Sequence, residues 1–195
     1  MDQQELERYF HSLDRSFFVE SDMKEYADLD QPLPIGFGQT ISQPSLVLEM
    51  TQLLAPEKDS RVLEIGTGSG FQTALLAKMS AEVFTVERID RLMEKAKKRL
   101  EALNFSNIHY KIGDGSKGWQ EYAPYDRIMV TAAAYVLPDE LVDQLGTGGR
   151  MVIPIGPPNF QELKLITKTR DGNIQIKTVG MVRFVELKGQ YGWGE

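Results

Sequence analysis

The chain has 195 residues, with 22 Lys and Arg against 28 Asp and Glu, two histidines and no cysteine. That length suits one domain with an ample core, and 42% hydrophobic with 26% charged residues is the balance of a globular chain rather than a disordered one. Without cysteine there is no disulfide, thiolate zinc site or cysteine nucleophile. Two histidines cannot build a histidine-rich metal centre, and a formal charge of −6 argues against a general nucleic-acid binder.

The opening MDQQELERYF is acidic and polar where a secretory signal is basic and then apolar, and no run reaches the roughly 18 apolar residues of a membrane span. The expectation is a cytoplasmic monomer without membrane or nucleic-acid partners. Leu6, Tyr9, Phe10, Leu13 and Phe17 recur at helical spacing and predict an amphipathic helix from Glu5 to about Val19. The stretch 22–42, broken by Pro32, Pro34, Gly36 and Gly38, predicts a long irregular loop, which in a compact domain tends to be functional. Leu46, Val47, Met50 and Leu54 predict a helix over 44–54. From there strands and helices alternate. Strands are expected at RVLEI (61–65), EVFTVE (82–87), IHYKI (108–112), DRIMVT (126–131) and RMVIPI (150–155). Helices are expected over 72–79, from a capping Asp90 through Leu92, Ala96, Leu100 and Leu103, and over 138–145. ELKLITKT and IQIKTVGMVRFVEL flank Asp171-Gly172-Asn173 and predict an antiparallel hairpin. The fold expected is α/β: one domain over 1–195, a doubly wound, mainly parallel Rossmann-like sheet ending in an antiparallel hairpin. Residues 1–43 supply the N-terminal helix and a substrate-side loop, 44–156 the ligand-binding core, and 157–195 the antiparallel strands and tail.

In such a sheet, ligands sit beyond the carboxyl ends of the strands. The first core strand runs into Glu64-Ile65-Gly66-Thr67-Gly68-Ser69-Gly70 and then a helix, and Glu87 ends the second strand about 20 residues past Gly66, where a carboxylate receives both hydroxyls of a ribose. A dinucleotide fingerprint needs glycine at position 71, which is Phe71, and Glu64 would bring negative charge to the rim of the loop. A phosphate is repelled there. A ligand carrying an ammonium and a sulfonium is not, so S-adenosylmethionine fits the charge. Gly113-Asp114-Gly115 closes the third core strand, where an acid can meet the adenine amino group or simply form an Asp-Gly turn.

PIGFGQTISQP (34–44), VLEIGTGSGFQTA (62–74), VERI (86–89), GDG (113–115), APYD (123–126) and VTAA (130–133) together resemble the protein-L-isoaspartate O-methyltransferase family, from Pro32 to Gly156. The resemblance implies a metal-free enzyme that transfers methyl from S-adenosylmethionine to the carboxylate of isoaspartyl residues in damaged proteins and peptides, leaving S-adenosylhomocysteine. It implies donor-binding roles for Glu64, Gly66, Thr67, Gly68, Ser69, Gly70, Glu87, Arg88, Asp114, Gly115 and Thr131. It places Gln39, Thr40, Ile41 and Ser42 at the substrate, with Ser42 the active-site serine. Ser42 also stands two residues before Pro44, at the start of a helix, where position alone favours a capping role. Glu186 and Lys188 depart from the family, which commonly has proline at the first and a small or apolar residue at the second. They keep open a related enzyme acting on another small carboxylate or hydroxyl. His11 and His109 read as surface and strand residues and Trp119 and Trp193 as packing, while the tail GQYGWGE carries no signal of its own.

The chemistry suits these residue types. A carboxylate is already ionised at neutral pH and needs no general base. Both charges diminish as anion meets cation, so a dry pocket that aligns the two supplies much of the acceleration.

Overall fold

In a computed structural model, which describes residues 1–193, the chain opens with α1 (Gln3–Ser12) and two 3-10 turns. It then forms a hairpin of β1 (Leu33–Gly36) and β2 (Gln39–Ile41) that leads into α2 (Pro44–Leu54). The alternating core follows as β3 (Arg61–Ile65), α3 (Phe71–Met79), β4 (Glu82–Glu87), α4 (Asp90–Ala102), β5 (Ile108–Ile112) and β6 (Tyr125–Val130). Next come α5 (Asp139–Gln144), β7 (Leu145–Ile155), β8 (Gln161–Lys168) and β9 (Ile174–Val182). Seven strands order as β5-β4-β3-β6-β7-β8-β9, parallel from β5 to β7 and antiparallel from β7 to β9. The chain winds outward from β3 to β5 and then returns to β6 on the other side of β3. The crevice for a ligand therefore opens where β3 and β6 end.

Near-continuous Val, Ile and Leu make these strands because both faces are covered. Val62, Val83, Met129 and Val152 bury one face with α2 and α3, while Leu63, Phe84, Ile128 and Met151 bury the other with Leu141 of α5. Phe71, where a dinucleotide fold would have glycine, packs on Phe18 and Phe10 at ring centroid distances of 5.2 and 6.2 Å. The close approach is made instead by Gly70, where a Cβ would stand 3.3 Å from Ala96 Cβ and Leu100 Cδ1 of α4.

Three expectations are corrected. The first helix ends at Ser12, because Asp14 accepts a hydrogen bond from Ser16 N (2.9 Å) and starts a separate 3-10 turn that carries Arg15 and Phe18 inward. The supposed irregular loop contains the β1–β2 hairpin. Pro34 pairs opposite Thr40 in a sheet of two strands only, where a missing N–H breaks no inner ladder, and burial of Leu33, Ile35 and Ile41 drives the pairing. The turn is made by three consecutive positive-φ residues, Gly36, Phe37 and Gly38. Finally, Asp90 lies inside the first turn of α4 and does not cap it; Ile89 precedes the helix without a side-chain cap.

Candidate active site

The loop after β3 is held in shape by its own neighbours. Gly66 N donates to Val86 O (2.8 Å), and the Thr131 hydroxyl, just past β6, donates to the carbonyls of Ile65 and Gly66 (3.0 and 2.7 Å). A Cβ on Gly66 would stand 2.3 Å from the Thr131 hydroxyl, so only glycine permits this approach. Thr67 points down to Thr85 (2.6 Å), and Ser69 Oγ accepts from Phe71 N (3.2 Å) at the start of α3.

Glu87 sits at the end of β4, 6% exposed. One carboxylate oxygen accepts from Gly68 N (3.0 Å) and the other from Ile89 N (2.9 Å), which aims the group across the loop. Glu64 lies elsewhere than the sequence suggests. It is fully buried beneath the loop and not on its rim. Its Oε2 accepts from the hydroxyls of Thr73 and Thr85 (2.7 and 2.6 Å), while Oε1 has no partner among the described residues. Burial, with the Glu87 charge adding to it, pushes the Glu64 carboxyl up to about 8. Stability linked to this group is therefore fully present below its unfolded value near 4.5 and is lost as pH rises through about 8, by roughly 1.4 kcal/mol per pH unit at most. Glu64→Gln is expected to flatten the fall in melting temperature over that window; equal slopes for both proteins would mean Glu64 stays ionised in the fold.

Gln39, Thr40, Gly66, Gly68, Glu87, Arg88, Gly115 and Thr131 line one pocket together. Thr40, Ile41 and Ser42 meet the same loop in an adjoining one. Asp114 is half-buried, and one of its oxygens accepts from both the N–H and the hydroxyl of Ser116 (2.9 and 2.7 Å), an Asx turn. Gly115 presses on Ile65, where a Cβ would come within 2.4 Å.

Ser42 does not cap α2. The residue preceding that helix is Gln43, which makes no side-chain cap, and the N–H of Ser45 is taken by Asp30 Oδ1 (2.9 Å) from the preceding loop. Among the described residues the Ser42 hydroxyl has no hydrogen-bond partner, and the residue lines the pocket shared with Phe184. The capping role expected from position is overturned because Asp30, some fifteen residues earlier, reaches the same N-terminus.

The opposite wall comes from the segment holding Glu186 and Lys188, which only the family resemblance ties to the substrate side. Val185, Glu186, Leu187 and Lys188 face the glycine loop across the pocket, held to the sheet by Ala133 N donating to Val185 O (2.8 Å) and Leu187 N to Ala133 O (2.9 Å). Buried Gln161 fixes Phe184 through both its N–H and C=O (2.6 and 3.1 Å). Glu186 accepts from Trp193 N (2.7 Å) and pairs with Lys188. Trp193 Nε1 donates to Gly156 O (2.9 Å), and Gly189 touches the Asp114 carboxylate. The tail to Trp193 therefore crosses the rim; its last two residues lie outside the described part. A wider trough continues from Thr40 and Val185 along α2 and residues 179–184. His109 stands apart on β5, stacked on Phe84.

Glu64 and Glu87 have no cationic partner among the described residues. The Glu87 carboxylate at the pocket, and the glycines at 66 and 115 where a Cβ would collide with Thr131 and Ile65, suit a cationic nucleoside and disfavour a pyrophosphate. No group of three or more His, Asp or Glu residues is placed to hold a metal among the described residues.

Residues 1–192 match the model of the protein-L-isoaspartate(D-aspartate) O-methyltransferase family. A protein-L-isoaspartate O-methyltransferase of Dictyoglomus turgidum is 54% identical over 92% of this chain and 81% of its own length. That of Pyrococcus horikoshii is 45% identical over 98% and 88%. A solved protein-L-isoaspartate O-methyltransferase superposes with a TM-score of 0.87 at 30% identity; the match takes in 98% of this chain and 63% of that one. A Plasmodium falciparum structure described as a beta-aspartate methyltransferase, in complex with S-adenosyl-L-homocysteine, gives 0.81 at 27% identity over 96% and 92%.

Proposed function

The chain belongs to the protein-L-isoaspartate(D-aspartate) O-methyltransferase family, and from that premise we propose how its residues carry out the family's reaction, methylation of isoaspartyl carboxylates in damaged proteins. The observation that carries the reading is the GQTIS segment facing an acid-lined glycine loop, in a chain matched by the family over 1–192. When bound, S-adenosylmethionine supplies a methyl group made electrophilic by its sulfonium.

The residues present fit that donor. Glu87 would take the ribose hydroxyls with the acceptor capacity that Gly68 and Ile89 leave it, and Gly66, Gly68 and Gly70 keep the loop low enough to admit a ligand. Asp114 and Gly115 form the adenine end, Arg88 flanks it, and Thr131 holds the loop. Glu64, kept protonated by its burial, braces the loop from beneath through Thr73 and Thr85, while Thr67 and Ser69 fix the loop's shape. On the facing side, Gln39, Thr40 and Ile41 present the substrate, and the Ser42 hydroxyl, free of any cap, donates to its carboxylate. That carboxylate arrives ionised, so no side chain takes a proton from it. Ile35, Val185 and Leu187 exclude water, which otherwise stabilises the separated charges. The trough beside α2 receives the peptide on either side of the reacting residue.

Glu186 gives no support to a different substrate, because its carboxylate is committed to Trp193 and Lys188. A monomer acting in the cytoplasm, without nucleic-acid or membrane partners, belongs to the same reading; the acidic balance and the lack of any helix long and apolar enough to cross a membrane among the described residues support it.

The test is labelled methyl transfer to an isoaspartyl peptide beside its aspartyl twin. Label is expected on the first and little or none on the second, since moving the carboxylate by one methylene spoils the alignment the pocket imposes. Equal labelling, or none of either, would overturn the assignment.

A further inference from the structure

Arg15 was not singled out by any motif, yet its buried side chain gathers the substrate side of the molecule at one point. It is 6% exposed, and among the described residues no carboxylate lies within salt-bridge distance of it. Instead Nη1 donates to the carbonyls of Ala27 and Leu29 (2.9 and 3.2 Å), and Nη2 donates to those of Gln31 and Ser42 (2.8 and 3.1 Å). Three of these acceptors belong to an irregular loop whose carbonyls have no strand partner; the fourth is the main chain of the serine that lines the pocket. Asp30, within that same loop, reaches across to the N–H and hydroxyl of Ser45 (2.9 and 2.8 Å). The loop is thus tied to the Ser42–Ser45 corner twice, by a guanidinium inside and a carboxylate outside.

We infer that Arg15 is a positioning residue for the methyl transfer: by holding Ser42 O against the carbonyls of 27–31, it fixes the direction of the Ser42 hydroxyl at the substrate carboxylate. The inference rests on the assignment of Ser42 to that carboxylate. A planar fork is required, because four carbonyls spread around one point match the rigid donors of a guanidinium and exceed the three donors of an ammonium. Donor binding lies on the other side of the pocket, at the glycine loop and Glu87, and does not pass through Arg15.

The experiment measures Arg15→Lys, Ser42→Ala and the double variant for turnover at saturating isoaspartyl peptide, KM for the peptide, calorimetric affinity for S-adenosylhomocysteine, and melting temperature. Arg15→Lys is expected to lose about fivefold in turnover with S-adenosylhomocysteine affinity within twofold of wild type. The double variant is expected to be no slower than Ser42→Ala, since a hydroxyl that is gone cannot be misaimed. Multiplied losses in the double variant, or a folded Arg15→Lys at wild-type turnover, would overturn the inference, as would a loss of product affinity in step with turnover. If wild type fails to methylate the isoaspartyl peptide, the functional reading falls instead. Should Arg15→Lys not fold, the same measurements are made on Arg15→Gln; a folded Arg15→Gln with turnover within twofold of wild type would equally overturn it.

Discussion

Removing the Ser42 hydroxyl is expected to lower turnover on an isoaspartyl peptide by about tenfold or more while leaving the protein as stable as before. The loss follows from one hydrogen bond to a charged acceptor, worth roughly 1.5–3 kcal/mol, of which about 1.4 already makes a factor of ten. The stability half of the expectation comes from the fold. A serine cap replaced by alanine costs about 1 kcal/mol, a drop of some 2–4 °C in a chain of this size. Here Asp30 binds the helix start, so Ser42→Ala has no cap to lose. S-adenosylhomocysteine should bind the variant about as tightly as wild type, because the glycine loop and Glu87 are untouched. A stable Ser42→Ala enzyme with undiminished rate at saturating peptide would remove the serine from the chemistry.

Glu87→Gln is expected to weaken donor affinity by about tenfold to a hundredfold, measured by calorimetry at constant salt. Glutamine keeps the shape but loses the charge that strengthens a hydroxyl's hydrogen bond, again a matter of roughly 1.5–3 kcal/mol. The structure adds a second contribution. Both carboxylate oxygens already accept backbone N–H groups, from Gly68 and Ile89. An amide can accept at only one end, so its NH2 must face one of those donors, and the loop loses a strut as well as the ligand a partner. Part of the loss should therefore appear in the free enzyme as faster amide hydrogen exchange at Gly68. Unchanged affinity would place the ribose away from Glu87.

The alternating core was readable because its signals are local. Val62, Leu63 and Ile65 before a glycine loop, or Leu92, Ala96 and Leu100 at helical spacing, declare strand and helix within a few residues, and Glu87 follows from the distance between two strands. What escaped depends on partners far apart in the chain. A proline-containing stretch became β1 because Leu33, Ile35 and Ile41 bury together. Ser42 lost its cap to an aspartate in another loop. Glu64, placed at the rim by its neighbours in sequence, points into the core because β3 alternates, and its Thr73 and Thr85 partners come from α3 and β4. Residues 184–188 showed a strand-like pattern of their own, and only the family resemblance linked Glu186 and Lys188 to the substrate. Their place as a wall rests on Gln161 and Ala133, which no spacing rule connects to them.

Glu186 and Trp193 have a consequence for how this sequence can drift. The indole nitrogen and the main-chain N–H of Trp193 are both spoken for, by Gly156 and by the Glu186 carboxylate. A change of Glu186 to a residue without a carboxylate would leave the tail without its acceptor, and a change of Trp193 would leave an acid beside the pocket held only by Lys188. Neither single step keeps what the pair provides. The two positions are therefore expected to change hands together, so that within an aligned set of relatives an acid at 186 travels with a tryptophan at 193, and its loss with the loss of that tryptophan. Independent assortment of the two would show that the contact carries no selective weight.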